Sequence, residues 1–280
     1  MKTNELKTAL AIAVKAARQA GALMRRNQAS VKKINSQSRH DIKLELDVRC
    51  QKIIETTLLG AFPQSGLLGE EGLAGLAEAP LRWVVDPIDG TVNFTYGIPH
   101  ACVSIALQEQ SKRAGDYSTI LGVVLDPFCG ELWTALRGAP ARLNGKTIHA
   151  SRRKELSDAI VSIGFSKDSE SMRINLPVFN ALVPRVLKMR MMGSAALALA
   201  YVAGGRFDAY LESGIYLWDI AAGGFILERA GGEFWRSPIP GEHKYKMLAN
   251  NGLLRQKVER VAREARHGIA DCGLATDEHT

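Results

Sequence analysis

The sequence predicts a mixed fold of two lobes, an α+β lobe over about residues 1–148 and an α/β lobe over about 149–265, with a loose tail at 268–280. Three observations carry this expectation. Strand-like runs crowd residues 81–148 with no helical period between them. After residue 150, short β-rich runs alternate with helical ones. The length of 280 residues suits about two lobes at roughly 150 residues each. A composition that is 46% hydrophobic, with only 10 prolines, excludes a fibrous or disordered chain.

The elements follow in order. Leu6, Leu10, Val14, Ala17, Gly21 and Met24 recur at three- and four-residue steps and predict an amphipathic helix. Lys15 and Arg18 follow its short apolar run, which speaks against a secretory leader. A second helix is expected from about Asp47 to Leu59. Strands are expected at Leu81–Asp86, Cys102–Gln108, Ile120–Leu125 and Glu131–Ala135, and Asn144-Gly145 signals a hairpin. Next come a strand at Ala159–Gly164, a helix near Ser171–Val186, a strand at Met189–Met192 and a helix at Ser194–Ala203. A strand at Phe207–Leu211, a helix at Trp218–Ala230 and a last helix at Leu253–Ala265 complete the series.

The longest apolar stretch, Met191 to Gly205, is 15 residues between two arginines, short of the roughly 18 that span a membrane. Cys50, Cys102, Cys129 and Cys272 have no metal-ligand spacing and suit small core residues in a reducing cytoplasm. Charge is uneven. The net value is +7, and residues 1–60, with 12 basic and 5 acidic side chains, supply all of it. That excess reads as a solvated helix face or as attraction for nucleic acid or phosphorylated partners. Residues 61–100 hold five acids against Arg82 alone, and clustered carboxylates are costly unless a cation neutralises them.

Three acidic motifs stand out. The first, Asp86-Pro87-Ile88-Asp89-Gly90-Thr91-Val92-Asn93-Phe94, follows the apolar Trp83-Val84-Val85. Pro87 is expected to turn the chain out of its strand so that Asp86 and Asp89 project together, with Gly90 admitting a ligand to the backbone. Two carboxylates, the Ile88 carbonyl and an amide cradle make a hard-cation site beside a phosphate. The second is Gly69-Glu70-Glu71-Gly72 after Leu67-Leu68, and the third is Trp218-Asp219-Ile220-Ala221-Ala222-Gly223. Taken alone, the second reads as an exposed turn and the third as an aspartate at a helix start. His100 reads either as a catalytic acid or as a histidine packed behind the site.

Together these motifs, in this order, closely resemble the inositol monophosphatase family of Mg²⁺-dependent, lithium-sensitive phosphomonoesterases, over roughly residues 5–265. The resemblance implies one domain with the layered αβαβα sandwich of the inositol monophosphatase and fructose bisphosphatase type, usually as a homodimer. It implies that Glu70, Asp86 and the Ile88 carbonyl bind one Mg²⁺, that Asp86, Asp89 and Asp219 bind a second, and that Glu70 helps hold a weaker third. It assigns catalytic parts to Asp47, Thr91 and Glu70, with Asp47 orienting the Thr91 hydroxyl toward the attacking water. Ile88, Asp89, Gly90, Thr91 and Asp219 would meet the substrate near its phosphate, and Gly193, Ser194, Ala195 and Glu212 would meet the remainder. Lys43-Leu44 stands where the family usually has Val-Thr, and the loop from Glu71 to Arg82 looks short; both bear on leaving-group preference.

A phosphomonoester dianion would be repelled by a pocket of carboxylates alone, so the divalent ions are what make the site attractive to it. The function expected is hydrolysis of a small phosphomonoester, inositol 1-phosphate first, by metal-activated water without a phosphoenzyme. Histidinol phosphate, 3′-phosphoadenosine phosphate, NADP and fructose bisphosphate stay open as substrates of the same scaffold. A regulatory protein that binds the transcription machinery is the alternative of a different class.

Overall fold

A computed structural model describes residues 1–280 except 31–33, 38–41, 112–115, 166–168 and 272–280. Its elements in chain order are α1 (Thr3–Asn27), β1 (Ile34–Gln37), β2 (Ile42–Leu44), α2 (Glu45–Ala61), β3 (Gly66–Gly69), β4 (Gly72–Gly75), β5 (Leu81–Asp89) and α3 (Thr91–Thr95). They continue with β6 (Cys102–Gln110), β7 (Tyr117–Asp126), β8 (Glu131–Leu136), β9 (Arg142–Leu143), β10 (Lys146–Thr147), β11 (Ile160–Ile163), α4 (Ser169–Leu182), β12 (Lys188–Arg190) and α5 (Ala195–Ala203). The last are β13 (Ala209–Tyr216), α6 (Leu217–Arg229), β14 (Glu233–Pro238), β15 (Lys244–Asn250) and α7 (Arg255–Asp271).

Eight strands form one sheet in the order β10-β9-β8-β7-β6-β5-β3-β4, and five form another in the order β12-β11-β13-β15-β14. Side chains of the large sheet alternate between two cores, as the period of a strand requires. Trp83, Val85, Ile105, Leu107 and Leu121 pack under α1 and α2, whereas Val84, Ala106, Val124 and Trp133 face α5 and α6. The same α5 and α6 meet Tyr210, Met247 and Ala249 of the small sheet. The outer face of that sheet, with Leu211 and Leu248, is covered by α4 and α7. The result is five layers, αβαβα, and it matches the sandwich expected. Both faces of the large sheet are buried, which is why its strands read as near-continuous apolar runs.

Several expectations shift. In α1 the buried stripe is Leu6, Ala9, Ala13, Ala16, Ala17, Ala20 and Met24, with Leu10 and Val14 at its edge. Alanines let this helix approach β7 closely. A Cβ on Gly21 would lie 3.0 Å from Leu125 Cδ2. Pro87 does not end β5; the strand runs on to Asp89 through a register shift between Asp86 and Asp89, a bulge that absorbs the missing N–H. The pair β14–β15 adds two strands beyond those expected. Helix α7 runs through Asp271, so residues 268–271 are helical, and 272–280, including Cys272, lie outside the described residues. No helix among the described residues is long and apolar enough to cross a membrane.

Candidate metal and phosphate site

Three carboxylates meet where the large sheet faces α5 and α6. Asp86 and Asp89 flank the bulge of β5, and Asp219 comes from the first turn of α6. One oxygen from each lies within 4.8 Å of the others. Asp86 Oδ1 accepts from the Ile88 N–H at 2.9 Å, the local turn that Asp-Pro chemistry favours. Asp126 makes the same kind of turn at the chain's other Asp-Pro, accepting from Phe128 and Cys129 N–H. The turn is therefore common to both; convergence with Asp89 and Asp219 belongs to the first alone.

The three carboxylates could hold a cation, and their electrostatics show why one would be favoured there. Burial, then repulsion from Glu70, Asp89 and Asp219, pushes the Asp86 carboxyl well above the usual carboxylate range. Burial, then Asp89, pushes Asp219 up to about 8, and Asp219 shares a side-chain hydrogen bond with Asp86. Asp89 is also raised by burial, although its donors oppose the shift. Those donors are the head of α5: Ser194 Oγ donates to Asp89 Oδ2 at 2.6 Å, Ala196 N at 2.7 Å, and Ala195 N to Oδ1 at 3.1 Å. Cys102 Sγ adds a weak donor to Oδ2 at 3.6 Å. An all-oxygen set that holds protons for want of counter-charge fits a hard divalent ion such as Mg²⁺.

Glu70 follows β3 and is half-buried, close enough to Asp86 to raise it. Its turn is held by Gln51, a buried residue of α2 whose Oε1 accepts from Glu71 N at 2.9 Å while Nε2 donates to Gly72 O. Any side chain on Gly69 would collide with that amide. Gly90 is left-handed (φ 92°), and a Cβ there would lie 2.9 Å from His100 O. Thr91 Oγ1 donates to Ile88 O at 2.9 Å. Asp47 is buried at the start of α2, where its Oδ2 accepts from Leu44 N. These bonds give Thr91 and Asp47 separate local partners. Lys43 has no described side chain.

Beyond the carboxylates opens a cleft of about 450 Å³ lined by Asp89, Gly193, Ser194, Ala195, Glu212 and Asp219. Asn93 ties its two walls by donating to His100 O and Met192 O. Burial pushes Glu212 up to about 7, against the opposing hydrogen bond from Tyr210. Tyr210 Oη donates to Glu212 Oε2. Tyr210 and Gln51 escaped the motif reading; period-two spacing from Glu212 was the signal for Tyr210. His100 packs edge-on against Tyr201 with ring centroids 5.9 Å apart, and burial lowers its pKa, so it is a packed histidine.

The chain matches the model of the inositol monophosphatase family over residues 5–267. The Nus factor SuhB of Xylella fastidiosa is 38% identical over 274 residues, which span 94% of this chain and 97% of that protein. The inositol-1-monophosphatase of Rhizobium meliloti is 39% identical over 207 residues, 73% of this chain and 74% of that one. The solved structure of the extragenic suppressor protein suhB from Bartonella henselae superposes with a TM-score of 0.84 at 32% identity, covering 92% of this chain and 99% of that one. The inositol monophosphatase from Anabaena gives a TM-score of 0.80 at 32% identity, covering 93% and 97%.

Proposed function

Because the chain belongs to the inositol monophosphatase family, we propose that it hydrolyses a small phosphomonoester, inositol 1-phosphate foremost, by direct attack of water. The observation that carries this reading is the buried convergence of Asp86, Asp89 and Asp219 beside the Gly90-Thr91 turn. With Glu70 and the Ile88 carbonyl, these carboxylates would hold two Mg²⁺, and Glu70 a weaker third. Bound Mg²⁺ supplies Lewis acidity at the phosphoryl group and a water of lowered pKa. The residues' own work is separable. The head of α5 keeps Asp89 fixed through three donors, which oppose the rise that burial imposes on it. Gly90 lets the backbone approach the phosphate without steric cost. Glu212, on the far side of the cleft, accepts hydroxyl hydrogens from a polyol, and Tyr210 holds it in place.

Phosphate release from a panel of inositol 1-phosphate, histidinol phosphate, 3′-phosphoadenosine phosphate, NADP, fructose bisphosphate and β-glycerophosphate tests the reading. We expect Mg²⁺-dependent turnover led by inositol 1-phosphate, abolished by EDTA and inhibited by Li⁺. EDTA-resistant hydrolysis would overturn it. Homodimerisation in a cytoplasmic setting belongs to the same proposal and is read by sedimentation. A second reading rests on the exposed Lys15, Arg18, Arg25, Arg26, Arg49 and Lys52 of α1 and α2, and on relatives named as Nus factors. It is contact with the transcription machinery through this basic face, which would weaken steeply with salt.

A further inference from the structure

A second cavity lies on the opposite side of β13 from the cleft. Leu211 and Ser213 point away from the face that carries Tyr210 and Glu212, toward α4 and α7. There they bound a cavity of about 260 Å³ walled by Ile174, Val178, Leu211, Leu248 and Val258. An apolar cavity of about 150 Å³ suffices for a benzene-sized molecule, so this one admits a larger body.

Two polar observations say what that body carries. Ser213 is 3% exposed, lines the cavity, and its Oγ has no hydrogen-bond partner. A buried hydroxyl left so is costly until a ligand or water satisfies it. Lys246 stands opposite Ser213 in the β13–β15 register, and it and Arg263 of α7 also line the cavity. Neither cation has a carboxylate partner among the described residues. Two acids also border the cavity: Glu259, which is held by Arg255 at 2.8 Å, and Glu212, which is held by Tyr210. The lining is therefore apolar within, and its two acids are already engaged, which leaves Lys246 and Arg263 as the charges open to a head group.

We propose that this cavity binds a small amphipathic monocarboxylate, with its chain among Val178, Leu211 and Val258 and its head group at Ser213, Lys246 and Arg263, and that occupancy adjusts the cleft through Glu212. Two connections run that way. Ser213 borders the register shift of β13 at Gly214 (φ 93°), one residue from Glu212. Asn175, which lines the cavity, donates to Gly164 O at 3.2 Å, and Gly164 abuts Glu212 so closely that a side chain there would overlap the carboxylate.

Titration calorimetry with octanoate on the Mg²⁺-loaded protein tests binding, with butyrate and octan-1-ol as comparisons. We expect saturable 1:1 binding of octanoate, at least fivefold weaker binding of either comparison, and at least a fivefold loss in Lys246→Glu. Ala262→Phe fills the cavity from α7 and should abolish binding; Lys246→Glu, at a half-exposed position, keeps the test open if the filled variant fails to fold. Absence of saturable binding, or equal affinity in both variants, would overturn the site. The adjustment of the cleft rests on the polyol reading and is tested separately. Saturating octanoate should shift KM for inositol 1-phosphate at least twofold in the wild type and leave it unchanged in Ala262→Phe. Binding with an unmoved KM would overturn the coupling and leave the substrate assignment standing.

Discussion

Removing the Asp219 carboxylate should stabilise the metal-free protein and remove its response to metal, and Asp219→Asn is the variant to make. Burial, then the charge of Asp89, pushes the Asp219 carboxyl from its ordinary 3.8 up to about 8. Between those two values the native state holds a proton that the unfolded chain has released. Native stability therefore rises as pH falls through this window, at about 1.4 kcal/mol per pH unit for one proton. From pH 7.5 to 5.5 that is at most about 3 kcal/mol, and partial access of water to Asp219 from the cleft lowers it toward about 1–2 kcal/mol. Unfolding entropy of roughly 2 cal/mol/K per residue makes 1 kcal/mol worth about 2 °C at this length. Circular-dichroism melts in EDTA should thus show wild-type Tm falling by about 3–5 °C from pH 5.5 to 7.5 relative to Asp219→Asn. At pH 7.5 the variant should melt higher, and added Mg²⁺ should raise the wild type alone. A metal-free wild type that gains stability over Asp219→Asn as pH rises would refute the raised pKa, and with it the cation site.

Three further outcomes follow from particular contacts. Asp89→Asn should abolish turnover and, unlike Asp219→Asn, lower Tm, because its NH2 would face one of the two donors, Ala195 N or Ala196 N, at a cost of about 1–3 kcal/mol; a folded variant at near wild-type rate would remove Asp89 from the site. Glu212→Gln should raise KM for inositol 1-phosphate roughly tenfold or more and spare β-glycerophosphate; equal loss on both would make Glu212 structural. Since burial sets Glu212 at about 7, preference for the polyol should strengthen as pH rises through neutrality, and Tyr210→Phe should move that transition upward by removing the hydrogen bond that opposes the shift; an unmoved profile would count against it.

The triad was legible because its residues sit in short strings whose local chemistry is largely self-contained. Asp86 forms a turn with Ile88 two residues on, and Asp219 caps its own helix by accepting from Tyr216 N. Gln51 was not legible, because its function is to reach 20 residues along the chain to Glu71. The continuation of β5 through Pro87 was hidden for a different reason. Proline ends a regular ladder, but a bulge needs no N–H at the inserted position. The strands β14 and β15 were masked by Arg236, Lys244 and Lys246, charged residues on strands that are only half-buried along much of their length.

The third motif holds more than a proposed ligand, and its small residues carry the last prediction. Helix α6 is wedged between both sheets, and Ala221-Ala222-Gly223-Gly224 sets how close it can come. A Cβ at Gly122 of β7 would lie 2.8 Å from Ala222 O, one at Gly223 would lie 2.7 Å from Leu199 Cβ of α5, and one at Gly224 would meet the Phe234 ring of β14. That closeness brings Asp219 within 4.8 Å of carboxylates that belong to a strand of the other sheet. Gly223→Ala needs α5 and α6 to part by several tenths of an ångström, with overpacking typically costing about 1–3 kcal/mol. Every proposed ligand residue is retained, and only their spacing changes. Mg²⁺ affinity, read by calorimetry on the folded variant, should fall more than tenfold, because separate elements must hold the charges at one spacing. Asp219→Asn in the Gly223→Ala background should then cost little more. A variant that loses stability but keeps wild-type Mg²⁺ affinity would show that the helix packs independently of the site.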